Sequence, residues 1–187
     1  MGQDNINDKS SGDLVKMIVA GVTLDPSNNM PIIILKAEDS DVAIPIWIGL
    51  IEASAIATEL EGIKLARPMT HDLLKNVLEA LGGNLDRIVV CDLKENTFYA
   101  TLVVFMKDTR VEIDSRPSDA IALALRAGAE IYVAKKVIES SQHVDLTALK
   151  EAMAEEGEGE EGEKKKKDKW TEILENLRPE DFGKYKM

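Results

Sequence analysis

Two short segments of this sequence combine an arginine, a proline and carboxylates at the start of an apolar stretch. They are Arg67-Pro68-Met69-Thr70-His71-Asp72 and Asp114-Ser115-Arg116-Pro117-Ser118-Asp119. Main-chain N–H groups at a helix N-terminus favour anions, and arginine binds phosphate or carboxylate through a fork of two hydrogen bonds. The segments therefore predict either binding sites for a phosphate group or purely structural features. The structural alternatives are a capped helix start for the first segment and an arginine–carboxylate pair that joins a strand to a helix for the second.

His71 distinguishes the first segment from an ordinary capped helix start. Thr70 is the predicted N-cap, and Asp72 suits the first turn, where an anion is stabilised by about 0.3–1 kcal/mol. The same dipole disfavours an imidazolium cation, which leaves a nitrogen of a neutral ring for a proton or a metal ion. A general base, a metal ligand and a structural residue all remain open from these residues alone.

The second segment brings two carboxylates and an arginine to the entrance of an apolar helix, where they are costly unless paired or used. Arg116 either pairs with a carboxylate, or faces a phosphate together with helix N–H groups. A phosphate beside Asp114 and Asp119 would need a divalent cation, Mg²⁺ or Mn²⁺, to offset the repulsion. Glu52, on a mostly apolar predicted helix, is either a further half-buried carboxylate of this kind or a helix-edge residue.

The hydrophobic pattern predicts an α+β fold, with a mixed, largely antiparallel sheet packed with about three helices in a single compact domain. Predicted strands cover 15–24, 31–37, 42–48, 87–93, 97–106 and 110–114, with a short last strand at 131–133. Predicted helices cover 49–60, 70–81 and 119–127, followed by a helical turn at 134–139. Leu73, Leu74, Val77, Leu78 and Leu81 give the second helix a regular apolar face. The third helix is apolar all round and should be buried.

The composition divides the chain into three parts. Residues 1–13 are polar and predicted to be disordered, 14–140 form the predicted domain, and 141–187 form a linker and an acidic, lysine-containing tail. Glu155 to Lys169 carries no apolar residue and cannot offset its ordering entropy. Trp170 to Leu177 is a predicted short helix. We expect the tail to be dispensable for folding.

Charge and cysteine content narrow the classes of protein. The net charge is −11, and residues 14–140 carry 13 Lys and Arg against 18 Asp and Glu. This balance weighs against broad nucleic-acid binding through a basic surface and leaves only a local basic cleft. The single Cys91 excludes an intrachain disulfide, and the longest apolar run is too short to span a bilayer. A cytoplasmic protein without a membrane partner is expected.

Several motifs in a fixed order resemble the bifunctional nuclease family, over about 125 residues. They are Pro45-Ile46-Trp47-Ile48-Gly49, Glu52-Ala53, the segment 67–74 and the segment 114–124. The resemblance implies a compact α+β fold, often dimeric, that cleaves both RNA and DNA. Some relatives carry a C-terminal UVR-type motif, which this tail does not show.

Residue chemistry and resemblance together predict a metal-assisted phosphodiesterase acting on RNA and DNA. The predicted catalytic residues are His71 as base or ligand with Asp72, Asp114, Asp119 and Glu52, of which the three aspartates would hold the cation. The predicted substrate-binding residues are Arg67, Arg116, Thr70 and Ser118. The alternative is a non-enzymatic regulatory or protein-interaction module whose Arg-Pro segments are structural. One shared cleft would favour the enzyme, and distant segments with paired charges would favour the module.

A homodimer is the predicted assembly. Its motive is the apolar character of Pro31 to Leu35 and of Ile44 to Ile51, which exceeds what a small domain needs to bury.

Overall fold

The computed structural model describes residues 13–25, 28–107 and 109–141. Within these ranges the chain forms seven strands and four helices. The strands are β1 Leu14–Leu24, β2 Pro31–Ala37, β3 Ala43–Trp47, β4 Gly83–Lys94, β5 Thr97–Met106, β6 Thr109–Ser115 and β7 Glu130–Ala134. The helices are α1 Leu50–Leu60, α2 Thr70–Ala80, α3 Pro117–Ala127 and α4 Lys135–Ser140.

All seven described strands belong to one open sheet, in the order β3-β2-β1-β7-β4-β5-β6. Strands β1 to β3 form an antiparallel meander, and β4 to β6 form a second one. Strand β7 joins the two meanders, antiparallel to β1 and parallel to β4. The predicted α+β class, with a mixed and largely antiparallel sheet, is therefore confirmed.

Helix α3 lies at the centre of the hydrophobic core. Its residues from Ala120 to Ala124 are each at most 2% exposed, and the helix packs on β4, β5 and β7 as well as on α1 and α2. Pro117 starts the helix, and Gly128, with φ of 66°, ends it in the left-handed conformation. The uniformly apolar sequence correctly predicted this burial, because a helix without a polar face has no side to offer to water.

Helix α2 has no buried residue, although its apolar spacing is regular. Leu73, Leu74, Val77 and Leu81 are 45–68% exposed, and only Leu78 packs against the core. The helix therefore lies on the outside of α3 and near β4.

Two glycines join α2 directly to β4. Gly82 has φ of 78°, a conformation that other residues adopt only with strain. A Cβ atom on Gly83 would come within 2.5 Å of Leu78 Cδ1. The pair therefore allows the chain to reverse closely against the one α2 side chain that packs on the core.

The segments that motivated the predicted homodimer are core segments of a single chain. Pro31 to Leu35 are all buried, as are Ile44, Ile46 and Ile48. Trp47 and Ile51 of the second segment are exposed, and other exposed apolar side chains lie on α1, on α2, in the loop between them and on several strands.

The predicted disordered segment 1–13, apart from Asp13, and the predicted helix at 170–177 lie outside the described residues. None of the helices in the described ranges has the length and apolar character needed to cross a membrane.

Candidate active site

A cleft of about 290 Å³ opens where α1, α2 and α3 meet. Its charged lining residues are Glu52, Glu59, His71, Asp72, Arg116, Asp119 and Arg126. Its apolar lining residues include Ile51, Ile63, Leu65 and Met69. The cleft therefore has a polar, hydrogen-bonded part beside an apolar wall, an arrangement typical of ligand sites.

His71 and Asp119 form the polar contact that crosses from α2 to α3. His71 Nε2 lies 3.2 Å from Asp119 Oδ1, and the histidine side chain is 13% exposed. Burial acts to raise the pKa of Asp119, but hydrogen bonds from Arg116 and His71 outweigh it, so its pKa lies below the ordinary value. An ionised carboxylate on one ring nitrogen orients the imidazole and leaves Nδ1 for proton transfer.

Arg116 occupies the residue position just before α3 and bridges two carboxylates. Its Nε donates to Asp119 Oδ2 at 2.6 Å, and an Nη donates to Glu52 Oε1 at 2.8 Å. The hydrogen bond to Asp119 raises the pKa of Arg116. Its side chain is 63% exposed, whereas that of Glu52 is 15% exposed. The two carboxylates therefore anchor the guanidinium, while most of the side chain remains accessible to an anion in the cleft.

Arg126 was not among the predicted site residues. Its side chain is 6% exposed, and its Nε donates to Asp72 Oδ1 at 2.5 Å. The other two guanidinium nitrogens donate to the carbonyl oxygens of Ala122 and Ala55, each at 2.9 Å. The available sequence signal was the cation itself, since an arginine at the end of a buried apolar helix needs a polar partner.

Asp72 contributes to the N-terminal cap of α2 and also binds Arg126. The main-chain N–H of Met69 donates to Asp72 Oδ2 at 2.8 Å. That hydrogen bond, together with Arg126, lowers the pKa of Asp72. Met69 occupies the cap position that the sequence assigned to Thr70, which is instead the first helical residue. The Asp72 carboxylate thus satisfies the N–H of the N-cap residue, which is the role of residue N3 in a capping box.

The other predicted site residues lie in three different environments. Thr70 lines the cleft, whereas exposed Arg67 does not. Ser118 is 7% exposed and belongs to the buried start of α3.

Asp114 points away from the cleft. It pairs with Thr101 in the sheet, while its neighbours Ile113 and Ser115 pair with Leu102 and Ala100. Leu102 and Ala100 belong to the core beneath α3, and successive residues of a strand point to opposite faces. Asp114 is thus on the opposite face of the sheet from Asp119, although only five residues separate them.

No cluster of three His, Cys, Asp or Glu side chains suited to a metal ion occurs among the described residues. Of the three predicted ligands, Asp72 is bound to Arg126, Asp119 is bound to Arg116, and Asp114 faces the other way. In this arrangement the three aspartates do not fit a shared cation.

Both predicted segments contribute to the one cleft, the first through Met69 to Asp72 and the second through Arg116 and Asp119. Their carboxylates are also paired with arginines. The shared cleft favours the enzyme, and the pairing is the feature expected of the structural module.

Comparison of the sequence with known proteins identifies the family of the chain. The family model described as the bifunctional nuclease domain matches residues 33–145, more than half of the chain. An uncharacterized protein of Mycobacterium tuberculosis is 36% identical over 172 residues, covering 88% of this chain and 95% of the mycobacterial protein. Bifunctional nuclease 1 of Oryza sativa is 26% identical over 56% of this chain and 33% of its own length. Bifunctional nuclease 2 of Arabidopsis thaliana is 27% identical over 55% of this chain and 32% of its own length. The matched range includes every charged residue that lines the cleft. Because the family model matches more than half of the sequence, the chain belongs to the bifunctional nuclease family.

Proposed function

We propose that this protein hydrolyses phosphodiester bonds of RNA and DNA in the cleft between α1, α2 and α3. The observation that carries the proposal is the convergence of a histidine–carboxylate pair, His71 and Asp119, with the exposed guanidinium of Arg116. General base, orienting carboxylate and phosphate clamp are the groups that this reaction needs. Membership of the bifunctional nuclease family supports the same reaction.

The proposed roles follow from the contacts. Water is the nucleophile common to both substrates, because DNA lacks the 2′-hydroxyl. His71 accepts a proton from the attacking water, and Asp119 stabilises the imidazolium that forms. Arg116 binds a non-bridging phosphate oxygen. The P–O bond to the leaving nucleoside then breaks, and the leaving oxygen takes a proton from solvent.

Glu52 acts through Arg116. It is the less exposed of the two carboxylates that hold the guanidinium, and it contributes from α1. When a phosphate approaches, Arg116 can exchange one carboxylate for the substrate without losing both anchors.

A requirement for Mg²⁺ or Mn²⁺ is a separate part of the proposal. The contacts do not support a cation held jointly by Asp72, Asp114 and Asp119, so no step above depends on one. Cleavage assayed with and without excess chelator measures this requirement directly. Full activity in chelator would reject the cation and leave the histidine chemistry in place.

The two histidines of the chain provide a matched pair of variants for the main test. Protein purified free of contaminating nucleases is assayed on end-labelled single-stranded RNA and DNA. His71→Ala should lower kcat by about 10²–10⁴-fold, the usual contribution of general acid–base catalysis. His143→Ala, outside the segment that forms the cleft, should retain activity. Equal cleavage by both variants would show that the activity does not arise at His71.

The second candidate is a protein-interaction module. The exposed apolar side chains of α2 and of the preceding loop favour it, because a contiguous apolar surface usually marks a binding site. The same surface supports the proposed homodimer, for which Leu73, Leu74 and Val77 now replace the buried strands as the motive. A cytoplasmic location, expected from the single cysteine, stays a prediction.

A further inference from the structure

Arg126 connects three helices through one guanidinium group. Its three nitrogens donate to Asp72 on α2, to the carbonyl of Ala55 on α1 and to the carbonyl of Ala122 on α3. Its side chain is 6% exposed. A buried arginine in this setting must have its hydrogen bonds satisfied by the surrounding groups, and a planar fork can satisfy several partners in fixed directions.

Helix α2 depends on this link more than an ordinary helix would. It has no buried residue, and Leu78 is the α2 side chain that packs against the core. Among the described residues, its polar contacts with α3 are those of Asp72 with Arg126 and of His71 with Asp119. These contacts lie side by side at the N-terminal end of α2, since His71 and Asp72 are consecutive.

We infer that Arg126 is a positioning residue for His71. By holding Asp72 at a fixed place between α1 and α3, it fixes the first turn of α2 and therefore the approach of the His71 ring to Asp119. Arg126 acts on the imidazole only through the backbone that joins His71 to Asp72. The catalytic consequence of this inference rests on the proposed function, whereas the structural consequence does not.

Removing Arg126 should leave the domain folded. The carbonyls of Ala55 and Ala122 lie inside helices and keep their main-chain partners. Asp72 is 34% exposed and keeps the Met69 N–H as a donor. Arg126→Met removes the buried charge and fills part of its space. The main consequence should therefore be a change in the position of α2 and not unfolding of the domain.

The structural arm of the test is NMR of the His71 ring in excess chelator, where no divalent cation contributes. The chain has only two histidines, so His143→Gln identifies the His71 signals. Arg126→Met should shift and broaden these signals and should speed amide exchange in the first turn of α2, while the amides of β4 and β5 keep their protection. Arg110→Met is the matched control, because Arg110 forms its ion pair with Glu112 on strand β6. It should leave the His71 signals unchanged.

The kinetic arm separates positioning from substrate binding. Arg126→Met should lower kcat about 10- to 100-fold, because a displacement of about 1 Å in a catalytic group costs up to that much. KM should change less than about threefold, since Arg116 is held by α1 and α3 and does not depend on α2. The Arg110→Met control should change neither constant.

Arg126→Lys covers the case in which the methionine variant does not fold. Lysine keeps a charge for Asp72 but lacks the planar fork, so a smaller change of the His71 signals in the same direction is expected. His71 signals identical to wild type in every folded Arg126 variant would overturn the inference. If the wild-type protein cleaves nothing, the proposed function fails, and the NMR arm still decides whether Arg126 positions His71.

Discussion

At the scale of single residues, Arg116 is bound by two carboxylates of the cleft. It is held by Asp119 in the first turn of α3 and by Glu52 from α1, and most of its surface is still accessible. Two carboxylates around one cation leave the group negative before any substrate arrives. An incoming phosphate must therefore compete with a carboxylate for Arg116, and the strength of each pairing affects substrate affinity.

Asp119→Asn tests the catalytic role of the α3 carboxylate. The amide keeps the shape of the side chain and can still accept a hydrogen bond from His71, but it can no longer stabilise an imidazolium by charge. Cleavage should be abolished. The free energy of unfolding should fall by only about 1 kcal/mol, because Arg116 is exposed and keeps Glu52 as a partner.

Activity assays and urea unfolding of the same Asp119→Asn preparation distinguish a catalytic role of Asp119 from a structural one. A variant that loses far more than about 1 kcal/mol and still cleaves would identify Asp119 as a structural residue and not a catalytic one. A stable variant without activity would support the enzyme.

Asp72→Asn tests the pH dependence of the α2 attachment. The pKa of Asp72 is lowered in the folded protein below its ordinary value of 3.8. A lowered folded-state pKa stabilises the native state above the ordinary pKa, and this stabilisation is lost as pH falls through the folded value. Wild type should therefore melt at a higher temperature than Asp72→Asn above about pH 5, and the difference should shrink as the pH falls below 3.8. Thermal melts of both proteins across this range provide the check, and a constant difference would contradict it.

At the scale of elements, α2 presents polar residues to the cleft and apolar residues to solvent. Its first turn faces inward and supplies His71 and Asp72 to the cleft, whereas Leu73, Leu74 and Val77 face solvent. The apolar wall residues Leu65 and Met69, which line the cleft, are also 53% and 55% exposed.

Leu74→Glu tests the proposed homodimer at this surface. A charge at the centre of an apolar contact between two copies is costly to bury, so light scattering at micromolar concentration should show the wild type as a dimer and the variant as a monomer. Asn76→Glu is the control, because it adds the same charge to the same helix at another exposed position and should leave the dimer intact. A wild-type protein that is monomeric at this concentration would reject the homodimer.

At the scale of the whole molecule, the segment from 51 to 126 supplies every group that the proposed chemistry uses. All lining residues of the cleft fall between Ile51 and Arg126. The core is continuous from β2 and β3 through α1 and α3 to β4 and β5, so the stability of the site should depend on these elements and not on the tail.

Deletion of residues 151–187 tests this independence. The tail run from Glu155 to Lys169 has no apolar residue to contribute to a core, so the melting temperature should stay within about 2 °C of that of the full chain. Differential scanning calorimetry of both proteins makes the comparison. A large drop would mean that the Ile173, Leu174 and Leu177 face packs on the domain.

The sequence by itself determined most of the local structure. Alternating and continuous apolar runs located the strands to within a few residues, with the largest error at β4, which begins at Gly83 and not near Arg87. Glycines marked the ends of α1, α2 and α3, and the uniform apolar character of α3 predicted its burial. These features depend on backbone preference and residue spacing, which act over a few neighbouring residues.

Only the tertiary structure decided which chemical groups meet. His71 and Asp119 are 48 residues apart and lie in contact, while Asp114 and Asp119 are close in sequence and face opposite sides of the sheet. The apolar spacing of α2 gave no indication that its face would be exposed, because α1 and α3 already cover the core side. Arg126 meets Asp72 for the same reason that the sequence could not show it: long-range partners depend on how helices cross, and that crossing is set by the packing of the entire core.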